Sequence, residues 1–157
     1  MTAHPSVERV RAHATEHGLE VDVRRYPAGT HTAEDAARAI GCDVAQIVKS
    51  LVFLASGEVV IVLVSGADRV DEAKVAAALG VPIVRRATAK EARDRTGFVV
   101  GGIPPFGHSA AATVLIDEAL LAHETVWAAA GLPDAVFSIS PEHLVRATQA
   151  RTADLRL

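Results

Sequence analysis

Cysteine is almost absent from this sequence, since the chain of 157 residues contains only Cys42. One thiol cannot form a disulfide within the chain or build a zinc site alone, so a hydrophobic core must hold the fold together. No apolar run reaches the length of about 18 residues that a membrane-spanning helix requires. The first ten residues also lack the apolar core of a secretion signal. We therefore expect a cytoplasmic protein, and its length predicts a single domain over residues 1–157.

Positive charge is limited as well, with 16 lysines and arginines against 19 acidic residues and a net charge of −3. Proteins that bind nucleic acids by electrostatics alone are usually basic, so nucleic-acid binding would need a local arginine patch. The lysines are only Lys49, Lys74 and Lys90. Lys49 stands out because apolar residues flank it on both sides. From position alone, its amine could extend to water, pair with a carboxylate or point into a pocket.

Helical and strand patterns alternate along the chain and predict a mixed α+β fold. Several predicted strands are joined by short turns, so we expect a largely antiparallel sheet with helices packed around it. Capping residues and helical spacing predict helices at 6–17, 32–40, 71–79, 88–95 and 141–149, with a helical turn at 124–130. Apolar runs predict strands at 19–26, 82–84, 98–100, 114–116 and 135–140, and a hairpin from 49–55 and 59–64.

The segment from Gly101 to His108 contains three glycines and two prolines. Glycine allows close backbone approach to a ligand, and proline stiffens a turn, so such a loop can bind an oxyanion or an ammonium group. A purely structural turn would have the same composition. The spacing matches neither a phosphate-binding P-loop nor a dinucleotide-binding motif.

Histidine provides a second set of candidates. His13 and His17 have the i, i+4 spacing of metal ligands, but no third ligand accompanies them, so we expect no metal site. His31 and His108 are better placed to reach a ligand, although either could be a surface residue. Cys42 has no accompanying catalytic-histidine motif and is expected to be a small packed side chain.

Four segments in order, 32–37, 47–53, 97–107 and 139–145, resemble the YbaK/prolyl-tRNA synthetase-associated domain family. This resemblance implies a barrel-like central sheet and a free-standing deacylase without a cofactor. The implied reaction is hydrolysis of the ester of a mischarged tRNA, such as tRNA(Pro) carrying a small non-cognate amino acid like cysteine or alanine. Aminoacyl-tRNA would bind weakly and transiently, and prolyl-tRNA synthetase would be a further partner.

The family's essential lysine falls on Lys49, and its Gly-x-x-x-Pro motif falls on residues 101–105. From this match we predict that Lys49 and the backbone of Gly101 and Gly102 are catalytic. The predicted substrate-binding residues are His31, Thr32, Asp35, Pro105, Gly107 and His108. Candidate tRNA contacts are Arg24, Arg25, Arg85, Arg86, Arg93 and Arg95.

Two other functions remain open from the sequence. The same fold could be a non-catalytic module that binds an aminoacyl compound or regulates a synthetase, because a fold does not determine a function. It could also hydrolyse a small free ester or amide, which would not require tRNA.

Overall fold

Short helices surround two β-sheets in the computed structural model, which describes residues 4–26 and 32–157. The α-helices are α1 (Pro5–Glu16), α2 (Ala33–Ile40), α3 (Glu72–Leu79), α4 (Ala89–Thr96) and α5 (Pro141–Thr148). The strands are β1 (Val23–Arg25), β2 (Val48–Ala55), β3 (Glu58–Ser65), β4 (Arg85–Arg86), β5 (Thr113–Asp117), β6 (Val126–Ala129), β7 (Ala135–Ile139) and β8 (Arg151–Ala153). Short 3-10 helices occur at Val44–Gln46 and Glu118–Ala122. No helix among the described residues has the length and apolarity needed to cross a membrane.

The five helices begin and end close to the predicted residues because their caps are local in sequence. The Thr32 hydroxyl accepts a hydrogen bond from the Asp35 backbone N–H at 3.0 Å and starts α2. Gly41 ends the same helix in the left-handed conformation, with φ of 86°. Thr88 and Glu91 form a reciprocal capping box at the start of α4. These contacts explain why the sequence sufficed to predict the helices.

The larger sheet has the strand order β4-β2-β3-β5-β8, and the smaller one has the order β1-β7-β6. Strands β3 and β5, and β5 and β8, are parallel, whereas the other pairs are antiparallel. The predicted mixed α+β class and largely antiparallel pairing are confirmed. The described strands do not close into a barrel, because the two sheets are connected only by an isolated bridge between Ile47 and Trp127.

Strand β2 is covered on both faces, and its residues alternate between two hydrophobic cores. Val48 and Val52 belong to the main core, together with Leu54. Phe53 belongs to a second core, which α3 covers from the other face of the sheet. Successive side chains of a strand point to opposite faces, so Lys49 and Ser50 project in opposite directions.

Four segments differ from the sequence-based predictions. Residues 124–130 were expected to form a helical turn, but 126–129 form strand β6, whose buried Val126 and Ala128 alternate with more exposed neighbours. Residues 98–100 were expected to form a strand and do not, because Val99 and Val100 are exposed where the chain turns. The predicted strand at 82–84 is shifted to β4, and β8 was not predicted.

Gly102 is a glycine for steric reasons. A Cβ atom at this position would lie 2.7 Å from the carbonyl carbon of Leu132 and 2.9 Å from the nitrogen of Pro133. Both neighbours are backbone atoms and cannot move aside as a flexible side chain would. The close approach packs the loop that starts at Gly101 against the turn between β6 and β7.

We predict that Gly102→Ala lowers the free energy of unfolding by about 1–3 kcal/mol, as overpacking usually does. The matched control is Val100→Ala in the same loop, because Val100 is 58% exposed and surface changes usually stay within about 0.5 kcal/mol. Urea denaturation of both variants measures the difference. Equal stability of the two variants would contradict the steric explanation.

Candidate functional site

A cavity of about 480 Å³ opens along the outer edge of β2, between the two sheets. Among the described residues, β6 pairs with this edge only through an isolated bridge at Ile47, and β4 pairs with it only opposite Phe53 and Leu54. No described strand pairs with the outer edge over the residues between these two contacts. The cavity is therefore a consequence of the topology, because β6 diverges from β2 before β4 begins.

The open edge also directs backbone polar groups toward the cavity. The carbonyl of Val52 points to this side, because it accepts a hydrogen bond from the Ala87 backbone N–H at 2.9 Å. In an antiparallel pair, backbone groups two residues apart point to the same side. The N–H and C=O of Ser50 therefore face the outer edge, where no described strand pairs with them.

The cavity reaches both faces of β2 and consequently has two chemically different parts. On the face of Lys49, its lining includes Thr32 and Arg86, and we call this part the cationic rim. On the opposite face, the lining is mostly apolar, and we call this part the chamber. The chamber is lined by Val48, Val52, Ile103, Ala128 and Val136, together with Ser50.

Lys49 is half-buried, and its Nζ donates a hydrogen bond to the backbone carbonyl of Asp68. Burial lowers the pKa of Lys49 from its ordinary value, and the nearby charges of Asp68 and Glu34 oppose this shift only in part. No described carboxylate lies within ion-pair distance of Nζ. Of the three possibilities that the sequence left open, the structure shows an amine in the wall of a pocket. Its two remaining N–H groups are available to a ligand.

Arg86 is the second cation of the rim. Its guanidinium carbon lies 5.6 Å above the ring of Phe53, which holds the side chain over the strand. Its charge also contributes to lowering the pKa of Lys49. No ion pair involving Arg86 occurs among the described residues, whereas its neighbour Arg85 pairs with Glu91 at 2.7 Å. The rim therefore carries a second positive charge that no carboxylate of the described residues pairs with directly.

Three predicted site residues, Lys49, Gly101 and Thr32, line the same cavity. Gly101 is exposed and has φ of 94°, a conformation that favours glycine. Gly102 is buried beside it, and its N–H donates to the carbonyl of Val99 at 3.0 Å. The backbone N–H of Gly102 is thus used inside the loop.

Pro105, Gly107 and His108 line a second cavity of about 350 Å³ and not the cavity of Lys49. The Nε2 of His108 donates to the carbonyl of Pro104 at 2.8 Å, and burial lowers the pKa of His108. Asp35 lies at the start of α2, where it pairs with Arg38. The last predicted residue, His31, lies outside the described residues.

The second cavity also contains His13 and His17, whose rings are stacked with their centroids 4.5 Å apart. The Nε2 of His13 donates to the carbonyl of Ala147 at 2.7 Å. Residues 4–26 and 32–157 contain no group of three or more side chains that could hold a metal ion.

Ser50 and Trp127 are cavity residues that the sequence analysis did not select, and Arg86 was selected only as a tRNA contact. Ser50 could have been recognised because it follows Lys49 in a predicted strand and is polar among apolar residues. Trp127 could not have been recognised from the sequence, because the segment around it was expected to be helical.

A family model for the aminoacyl-tRNA editing domain matches residues 27–147. The chain therefore belongs to the aminoacyl-tRNA editing domain family, which confirms the resemblance identified from the sequence. A solved structure described as a candidate trans-editing enzyme for prolyl-tRNA synthetase superposes with a TM-score of 0.93 at 42% identity, over 99% of both chains.

Similarity to curated proteins is consistent with membership in this family. The chain is 32% identical over 140 residues to the uncharacterised protein YwhH of Bacillus subtilis, which covers 88% of each chain. It is 37% identical over 97 residues to the proline–tRNA ligase of Limosilactobacillus fermentum. That match covers 59% of this chain but only 17% of the ligase, so the similarity concerns one part of a much longer enzyme.

We predict that the amine of Lys49 titrates below the ordinary lysine value of 10.5, because burial disfavours its charged form. The chain has only three lysines, so ¹³C-methylation of the amines gives an interpretable NMR titration. Loss of one signal in Lys49→Arg assigns the resonance. A Lys49 signal that titrates at or above 10.5 would contradict the burial of the amine.

Proposed function

We propose that this protein is a trans-acting deacylase that hydrolyses the ester of a mischarged tRNA, with tRNA(Pro) carrying a small non-cognate amino acid as the substrate. Two findings support the proposal: membership in the editing-domain family, and one cavity that has a lysine at its rim and an apolar chamber beside it. The juxtaposition of Lys49 and Gly101 in that cavity is the observation that carries it.

The reaction requires little catalytic machinery because an aminoacyl ester is already an activated acyl group. Water adds to the carbonyl carbon, and the bond from that carbon to the ribose oxygen breaks. The water supplies the proton that the ribose oxygen takes up, so the products are the free amino acid and an intact tRNA hydroxyl. The main requirement is stabilisation of the oxyanion that develops on the carbonyl oxygen.

Lys49 supplies this stabilisation in the proposed mechanism. Its Nζ is anchored by the Asp68 carbonyl, which leaves two N–H groups for the carbonyl oxygen and the terminal ribose. A lowered pKa makes the ammonium a more acidic and therefore stronger hydrogen-bond donor. The exposed backbone of Gly101 lines the same cavity and can orient the aminoacyl group.

Protonation of Lys49 sets the expected pH dependence. The donor is the ammonium, so its contribution is complete at pH values below the pKa of Lys49 and is lost as the pH rises through it. Because that pKa is lowered, the loss begins at a lower pH than for an ordinary lysine. The uncatalysed loss of the ester must be subtracted at each pH.

We predict that Lys49→Ala reduces kcat/KM for deacylation by about 100-fold or more, the usual effect of removing one oxyanion donor. The melting temperature should change little, since the amine is half-buried and has no ion pair with any residue that the structure describes. Turnover of cysteinyl-, alanyl-, seryl- and prolyl-tRNA(Pro) is measured beside the uncatalysed reaction. A folded Lys49→Ala protein with full activity would refute the role of the lysine.

The same set of charged tRNAs distinguishes the proposed deacylase from the two alternatives that the sequence left open. A non-catalytic binding module would bind aminoacyl-tRNA without accelerating ester loss. A hydrolase for small esters would act without tRNA, and its kcat/KM would not depend on the salt concentration. An editing deacylase requires the tRNA, and its kcat/KM falls as the salt concentration rises.

We further predict that Arg86→Ala raises KM for aminoacyl-tRNA and reduces the slope of log(kcat/KM) against log[salt] by about one, as expected when one phosphate contact is lost. The matched control is the double variant Lys74→Gln/Asp154→Asn, which removes an exposed ion pair that is not among the predicted tRNA contacts and leaves the net charge unchanged. This control should leave the slope unchanged. Identical salt dependence in Arg86→Ala and wild type would exclude Arg86 from the tRNA contact.

A further inference from the structure

Arg9 of α1 places its guanidinium against both ends of the loop that contains Gly101. Its Nη1 donates to the carbonyl of Gly97 at 3.2 Å, and its Nη2 donates to the carbonyls of Thr96 and Gly107, each also at 3.2 Å. Thr96 and Gly97 precede Gly101 in the chain, whereas Gly107 follows it. One side chain from a distant helix therefore joins the start of this loop, residues 97–107, to its end.

The loop leaves space for this guanidinium at both ends. A Cβ atom at Gly97 would lie 2.8 Å from both terminal nitrogens of Arg9, and one at Gly107 would lie 3.2 Å from the Arg9 backbone oxygen. The guanidinium carbon lies 4.2 Å from the ring centroid of Phe98, so the cation also contacts an aromatic face. Glycines at 97 and 107 thus allow α1 and its arginine to approach the loop closely.

The chemistry of these contacts requires an arginine. Among the described residues, no carboxylate lies within ion-pair distance of Arg9, whereas Arg11 on the same helix pairs with Glu8 at 2.9 Å. Arg9 donates instead to backbone carbonyls, and those of Thr96 and Gly97 lie at the C-terminal end of α4, where carbonyls lack partners within the helix. A planar guanidinium donates to several acceptors in a fixed arrangement, which a lysine ammonium does not reproduce.

The loop that Arg9 holds is the one that contributes Gly101 to the cavity of Lys49. Its middle part is fixed separately, because Gly102 packs against the backbone of residues 132–133. Lys49 lies on β2 and does not depend on the loop for its position. The lysine and the Gly101 backbone are therefore placed by different elements, and their relative position depends on how firmly the loop is held.

We propose that Arg9 is a positioning residue for deacylation: it joins the ends of the loop 97–107 and thereby holds Gly101 in the cavity wall. This inference rests on the proposed function. Arg9 lines neither of the two cavities, so it acts through the loop and not by contact with the ester. Helix α1 precedes residues 27–147, so this contribution comes from outside the segment that the family model matches.

The kinetic test is Arg9→Met, because methionine retains helix propensity and removes the guanidinium. A displaced Gly101 backbone would orient the aminoacyl group poorly, and such misplacement affects the chemical step. We expect kcat for deacylation of mischarged tRNA(Pro) to fall by about tenfold to 100-fold, with KM changed by less than about threefold. Arg9→Lys keeps the charge without the planar donor arrangement, so its kcat should lie between those of Arg9→Met and wild type.

The matched control is Arg11→Met, which removes the same charge from the same helix, where the Arg11 side chain donates to Glu8. This variant should keep the wild-type kcat and KM. All rates are measured below the melting temperature of each variant, so that a loss of stability alone does not lower kcat.

Three kinetic outcomes would overturn the proposal. An unchanged kcat in folded Arg9→Met would limit Arg9 to stabilising the fold. An equal loss in Arg11→Met would assign the effect to the charge of α1. A raised KM with a weaker salt dependence would assign Arg9 to a phosphate contact with tRNA.

Amide hydrogen exchange without substrate separates this inference from the proposed function. The N–H of Gly102 donates to the carbonyl of Val99 at 3.0 Å, and that of Ser109 donates to the carbonyl of Thr96 at 2.9 Å, so both amides report on the closed loop. We expect both to exchange about tenfold faster or more in Arg9→Met, since hydrogen bonds from a charged group are lost. The amides of β2 and β3 should exchange as in wild type.

Unchanged exchange at Gly102 and Ser109 would refute the role of Arg9, and equally faster exchange in β2 and β3 would reveal a general loss of stability instead. If Arg9→Met does not fold, the same comparison in Arg9→Lys decides the question, with a smaller acceleration expected. If wild type deacylates no aminoacyl-tRNA, the proposed function fails, and the exchange rates still decide whether Arg9 holds the loop.

Discussion

The site depends on one constraint, the outer edge of β2 that no described strand covers between Ile47 and Phe53. Among the described residues, β6 pairs with this edge only through one isolated bridge, and β4 is too short to extend along it. A sheet edge exposes backbone donors and acceptors that native proteins normally cover or protect. Here the cavity lies on the uncovered part of the edge, so backbone polar groups and side chains from both faces of one strand meet in a single pocket.

Consecutive residues on that edge provide different chemical groups because successive side chains of a strand point to opposite faces of the sheet. Lys49 projects to the cationic rim, whereas Ser50 projects to the apolar chamber. Both cost stability: the amine loses hydration on burial, and the hydroxyl has no hydrogen-bond partner among the described residues. Groups in such environments are concentrated at functional sites. The loop beginning at Gly101 completes the pocket, while Gly102 secures that loop by packing against residues 132–133.

Local signals predicted the elements whose ends are defined by neighbouring residues. Thr32 and Gly41 bracket α2, and two apolar runs around a short polar turn predicted the hairpin of β2 and β3. Residues 124–130 were assigned wrongly because their alanines favour a helix, while pairing with β7 makes them a strand. Among the candidate site residues, Lys49 was identified by its apolar context and its family motif. Pro105, Gly107 and His108 were grouped with it because they are close to Gly101 in sequence, but the loop turns them toward the other cavity.

The sequence by itself determined the family, the mixed fold class and most helices, and it drew attention to one lysine, because these follow from local pattern and motif order. Only the tertiary structure decided which residues share a cavity with that lysine. The gap between β4 and β6, the stacking of Arg86 over Phe53 and the burial of Ser50 without a partner among the described residues each depend on elements that are distant in the chain. These features arise from strand pairing and packing, and the pattern of a single sequence does not predict which part of a strand edge stays unpaired.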